Sequence, residues 1–122
     1  MGPETKFYKY FKSKTPEIIY TRIENTSSLG TPDALCYNKN NFYFTLEFKV
    51  SKRNKVSLSP HQISYHVKHP KNSFILVKTP EACRLKLYEG SKIQDLVARG
   101  LRLEACCLGL EACRLKLLSL GA

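Results

Sequence analysis

Asp33, Glu47 and Lys49 are the residues whose types and spacing could do chemistry together. They mark the ends of the stretch 30–49, which opens Gly-Thr-Pro-Asp, closes Leu-Glu-Phe-Lys and reads as a β-hairpin. Two carboxylates and an amine carried by adjacent strands can hold a divalent cation beside a phosphodiester and position a water to attack it. Carboxylates alone would repel such a substrate. Asp33 and Glu47 would therefore work through Mg2+ or Mn2+, hard cations that take oxygen ligands and keep several waters. The backbone carbonyl of Phe48 is a further candidate ligand. Lys49 would orient or deprotonate the water, or neutralise developing charge.

A Glu-x-Lys on a strand is common on ordinary surface hairpins. The combination says more: Gly-x-Pro-Asp at a strand entry, a tight turn, Glu-x-Lys ending an apolar strand, and a Gln-bearing helix after it. It also makes a demand on register. For Asp33 and Glu47 to share a face of an antiparallel pair, paired positions must sum to an even number such as 80, which needs a loop of three or five residues. Glu47 and Lys49 share a face because they are two apart, while Leu46, Phe48 and Val50 point to the other.

The elements that must position these residues follow from local pattern. Residues 3–13 place Phe7, Tyr8 and Phe11 on one side of a lysine-rich helix that Thr15-Pro16 stops. Residues 17–24 are β-branched and aromatic, a strand. A Gly/Pro loop leads into strands at 33–37 and 42–50, joined by the turn 38–41. Ser59-Pro60 caps a helix running to about His69, with Gln62 in its first turn. Residues 73–78 read as a buried central strand and 83–88 as its neighbour. Ser91 is expected to cap a helix over 92–98 that ends at Gly100. Glu-Ala-Cys-Arg-Leu-Lys-Leu occurs twice, at 81–87 and 111–117, too isolated to signal a solenoid. The expected organisation is one domain over 1–101 and a C-terminal extension, 102–122, of unassigned structure.

Twenty Lys and Arg against ten Asp and Glu leave the 122-residue chain at +10, a surplus that implies an acidic partner, nucleic acid first. Lys52, Arg53 and Lys55 adjoin the proposed site and are expected to contact DNA backbone, with Arg22, Lys68, Lys71, Lys9 and Lys12 as further candidates. No base-reading motif is present, so recognition would be by shape. His61, His66 and His69 read as solvated or phosphate-facing rather than as metal ligands. The five cysteines are odd in number and contain no C-x-x-C pair, which argues against a disulfide framework and for a reducing compartment. No signal-peptide or membrane-spanning stretch is visible, and the cytoplasm is the expected location, a host's if the gene belongs to a phage.

Gly30-Thr-Pro-Asp33, Glu47-Phe-Lys49 and Leu58-Ser-Pro-His-Gln62, in this order and spacing, resemble the PD-(D/E)xK nuclease superfamily. More narrowly they resemble the small stand-alone VRR-NUC (virus-type replication-repair nuclease) domains of phages. Arg22-Ile-Glu24-Asn25 and the stretch 87–101 add to the likeness, which covers about residues 4–101. The resemblance implies an α/β fold with a restriction-endonuclease-like αβββαβ core, a mixed central sheet flanked by helices. It implies metal ligation by Asp33 and Glu47, Lys49 as the catalytic lysine, Gln62 in support and Glu24 as an additional acid. Archaeal Holliday-junction resolvases share this core and act as dimers. A metal-dependent, structure-selective endonuclease acting on branched DNA as a homodimer is the expected function. The alternatives are a non-catalytic nucleic-acid-binding module of the same fold and a basic partner-binding protein.

Overall fold

A computed structural model describes residues 2–23, 30–80 and 84–122. Six strands form one mixed sheet whose spatial order is the chain order: β1 (Ile19–Arg22), β2 (Ala34–Tyr37), β3 (Tyr43–Val50), β4 (Ser73–Lys78), β5 (Leu85–Glu89) and β6 (Cys107–Leu108). Every neighbouring pair is antiparallel except β3 and β4, which run parallel and are joined over the sheet by helix α2 (Pro60–Lys68). A parallel pair needs such a crossover, whereas antiparallel neighbours can be joined by a tight turn.

Helices cover both faces of the sheet. On one, α1 (Pro3–Lys14) and α4 (Leu110–Ser119) bury Phe7, Tyr8, Phe11, Cys113 and Leu117 against Phe44, Leu46, Phe48, Phe74, Leu76 and Leu87. Phe48 is the anchor: the rings of Phe7, Tyr8 and Phe11 meet it edge-on at centroid distances of 5.4, 5.3 and 6.1 Å. On the opposite face, α2 and α3 (Ile93–Arg99) cover Ile75, Val77 and Tyr88 with Ile63, Ile93 and Leu96. Strand alternation turns Glu47 and Lys49 toward this second face.

The register meets the parity condition. Ala34 pairs with Leu46 and Tyr37 with Tyr43, sums of 80, across the five-residue loop 38–42. Asn38 holds that loop. Its Oδ1 accepts the backbone N–H groups of Asn40 and Phe42, and its Nδ2 donates to the carbonyls of Leu117 and Leu120, each at 2.9 Å.

Three expectations need correction. Ser91 does not cap the helix after β5; it lies in a 3-10 turn, Gly90–Lys92, and its hydroxyl donates to Glu89 instead. His66 is not solvated but fully buried, because it lies one turn beyond Gln62 on the inward side of α2, where Ser73 of β4 meets its Nδ1 at 2.6 Å. The strand expected over 17–24 is shorter, Ile19–Arg22. The C-terminal residues join the main body: β6 extends the sheet beyond β5, and Arg114 of α4 pairs with Glu17 at the entry to β1.

Candidate metal and catalytic centre

The site forms where β2 breaks off. The ladder between β2 and β3 ends at Ala34 and Leu46; one step further the register would set Asp33 opposite Glu47. Pro32 precedes this point, and the Asp33 carboxylate takes over as acceptor, its Oδ2 receiving the Phe48 N–H at 2.7 Å. A strand residue's N–H and C=O leave by the same edge, so the Phe48 carbonyl also faces the Asp33 side. Gly30, at φ +83°, lies so close to the His61 carbonyl that a Cβ would come within 2.3 Å of it. The entry loop is thereby seated on the start of α2, and glycine is required there.

Gln62 links α2 to the carboxylates. Its Oε1 accepts the Ser59 N–H at 2.9 Å and its backbone N–H reaches the Ser59 hydroxyl, a capping box. Its Nε2 donates to Glu47 Oε2 at 3.2 Å. Glu47 is 2% exposed, and its other oxygen, Oε1, is buried with no hydrogen-bond partner. Burial, then the Asp33 carboxylate, push the Glu47 pKa up to about 9, against the pull of Lys49; Glu4, in the first turn of α1, pushes the same way. Glu4, an exposed residue whose charge is felt at Glu47, is not singled out by the sequence. An acid in a first turn reads as helix-dipole compensation, and only the approach of α1 to this end of the sheet gives it another meaning.

Asp33, Glu47, Lys49 and Gln62 are thus brought together, with the Phe48 carbonyl on the same strand. Glu24 lies outside the described residues. Arg22, opposite Ala34 on β1, is exposed and sits 4.5 Å above the Tyr8 ring. Lys52, Arg53 and Lys55 occupy the turn that immediately follows β3, closed by a bridge between Lys52 and Lys55. Lys68 is not near them; it lies in the last turn of α2, at the opposite end from Gln62.

The donor set fits a small divalent cation. It is all oxygen, two carboxylates face one another, and one buried carboxylate oxygen is unsatisfied. No group of three or more His, Cys, Asp or Glu side chains converges among the described residues, so the three C-terminal cysteines form no soft-metal cluster. A cation at Asp33 and Glu47 would keep several waters, which suits Mg2+ or Mn2+.

The sequence matches no protein-family model and no curated protein. Among solved structures, the chain is similar to Hjc of Archaeoglobus fulgidus, a Holliday junction resolvase from an archaeal hyperthermophile. The TM-score is 0.56 and the identity 18%, over 71% of this chain and 77% of that one. The fold is therefore restriction-endonuclease-like, as the sequence motifs led us to expect. No helix among the described residues is long and apolar enough to cross a membrane.

Proposed function

We propose that the protein is a metal-dependent, structure-selective DNA endonuclease of the PD-(D/E)xK type, akin to the VRR-NUC domains, that hydrolyses phosphodiester bonds in branched DNA such as Holliday junctions. The observation that carries this reading is the buried Glu47 carboxylate beside the half-buried Asp33, with an unsatisfied Glu47 oxygen and Lys49 on the same strand face. Burial first, and the Asp33 charge second, favour the protonated form of Glu47 when no cation is bound, a poor arrangement for stability and a good one for capturing Mg2+ or Mn2+. When bound, the ion would supply Lewis-acid activation and charge neutralisation at the phosphate.

The chain's own residues divide the remaining work. Asp33, Glu47 and the Phe48 carbonyl hold the ion, with Glu24 as a further acid. Gln62 fixes the Glu47 carboxylate from one side. Lys49 orients the attacking water and offsets charge developing on the phosphoryl oxygens. The fold shared with a junction resolvase supports branched DNA as the substrate. A four-way junction presents two equivalent strands, and a homodimer with a two-fold axis would offer one site to each. The expected setting is the cytoplasm.

The test is cleavage of synthetic four-way junctions, flaps and plain duplex with Mg2+ or Mn2+. Preferential cutting of branched substrates is expected, with none by Asp33→Ala or Lys49→Ala. Persistent activity in either variant rejects the site. Salt-dependent DNA binding with no cleavage under either ion would leave a nucleic-acid-binding module instead.

A further inference from the structure

A cleft of about 650 Å³ opens between the turn after β3 and the start of β5, lined by Arg53, Asn54, Thr79, Arg84, Lys86 and Leu101. Three of these are cations, and none of its described lining residues is acidic. Arg53 and Arg84 are exposed, while Lys86 is half-buried and donates to the Leu101 carbonyl at 3.0 Å, leaving its remaining protons for another acceptor. A concave cluster of this kind, on a chain carrying +10, is suited to an anion with several acceptor oxygens.

The cleft is pre-shaped. The Leu101 N–H donates to the Asn54 carbonyl at 2.8 Å. Gly100, at φ +60°, packs so tightly beneath that turn that a Cβ would lie 2.0 Å from the Asn54 oxygen. Arg53 is therefore presented by a turn clamped to the segment after α3, rather than by a free loop.

Its position relative to the carboxylates is set by the sheet. Lys49 pairs with Val77 and Val77 with Lys86, so the three stand in one row on one face. Two strand spacings separate Lys49 from Lys86, about 9.5 Å between backbones. Both sites lie at the end of the sheet where β3 and β4 finish. That separation is short enough for both places to meet nearby phosphates of one DNA strand.

We propose that the cleft framed by Arg53, Arg84 and Lys86 seats a backbone phosphate of bound DNA, close along the same strand to the phosphate presented to Asp33, Glu47 and Lys49. The proposal rests on the nuclease reading for its ligand. It gives Arg84 and Lys86, which sequence pattern alone did not single out, a part in fixing where along the strand the cut falls. The recognised chemistry is a phosphate group, and a nucleic-acid backbone and a free phosphate share it.

The experiment measures affinity of the full chain for a four-way junction, without divalent ions, across a salt series. For Arg84→Gln/Lys86→Met, which keeps the apolar stems, the expected result is a loss of roughly ten- to fifty-fold at about 0.1 M salt. The slope of log affinity against log salt should fall by up to about 0.9, the value for one phosphate contact. Arg84→Glu alone, at an exposed position, should weaken binding in the same direction without disturbing the fold, as read by circular dichroism. Unchanged affinity and slope in both variants would overturn the proposal. So would saturable binding of inorganic phosphate that requires Arg84 and Lys86 while junction affinity stays at the wild-type level, since the cleft would then hold a small anion. The two readings fail separately: wild-type protein that cuts no substrate with Mg2+ or Mn2+ sinks the nuclease reading, whereas the cleft is read from metal-free binding.

Discussion

The Asp33 carboxylate accepts the Phe48 N–H at 2.7 Å, a side chain standing in for a strand that has ended. The same oxygen atoms that would bind a cation therefore also fasten β2 to β3. Asp33→Asn can still accept that bond through its amide oxygen. We expect it to keep the fold within about 1 kcal/mol while abolishing cleavage. Asp33→Ala leaves the Phe48 N–H unsatisfied and should cost roughly 1–3 kcal/mol as well as activity. Urea denaturation beside a cleavage assay separates the two losses; equal stability of the two variants would show that the bond contributes nothing.

Glu47 gives a pH signature. Burial first, and the Asp33 charge second, raise its pKa from 4.5 to about 9 in the folded chain. Between those values the folded state holds a proton that the unfolded state has released. Metal-free protein should therefore lose stability as pH rises from about 4.5 to 9, by up to roughly 1 kcal/mol per pH unit from this group. Glu47→Gln, permanently neutral, should remove that dependence and all activity. Mg2+ or Mn2+ should stabilise the wild type more at pH 9 than at pH 6, because the ion competes with the proton. Melting curves with and without ion, at three pH values, test each part.

Gln62 serves helix and site with one amide group, its oxygen on the Ser59 N–H and its nitrogen on Glu47. Gln62→Glu preserves the capping acceptor but brings a further negative charge to Glu47. Stability should change by less than about 1 kcal/mol while the metal concentration needed for half-maximal activity rises. Gln62→Ala should cost about 1 kcal/mol, since the reciprocal cap is broken. Thermal melts and metal titrations of cleavage distinguish these outcomes.

Asn38 ties the site hairpin to the C-terminal helix through the carbonyls of Leu117 and Leu120. Asn38→Ala is expected to lower stability by roughly 2–4 kcal/mol, as it strands buried acceptors and two loop N–H groups at once. Leu117→Ala, at a fully buried position, should cost a similar 2–5 kcal/mol. Chemical denaturation of both variants is the check. Losses below 1 kcal/mol would mean that α4 is an ornament on the domain rather than part of it.

Much of the site was legible because local chemistry and global fold agree there. Pro and Gly fix the strand entry at Asp33, strand alternation turns Glu47 and Lys49 to one face, and Ser59-Pro60 announces a helix start with Gln62 in its first turn. What the sequence hid depends on tertiary neighbours. His66 looked like a surface histidine until Ser73 of a later strand met it. The Glu-Ala-Cys-Arg-Leu-Lys-Leu repeat shows the limit of local reading. Leu85 and Leu87 of the first copy are buried in a strand, while the second copy lies within α4. Its apolar residues satisfy either period, and the partner surface decides.

The sheet's spatial order has a consequence for synthesis. Because strands β1 to β6 lie side by side in the order in which they are made, each new strand pairs with its immediate predecessor. The sheet can grow at one edge as the chain emerges from the ribosome, with no strand inserted between two others. Asp33, Glu47, Lys49 and Gln62 all belong to the first half of that growth. The residues of the candidate centre are thus present before the strands that close the opposite flank have been translated.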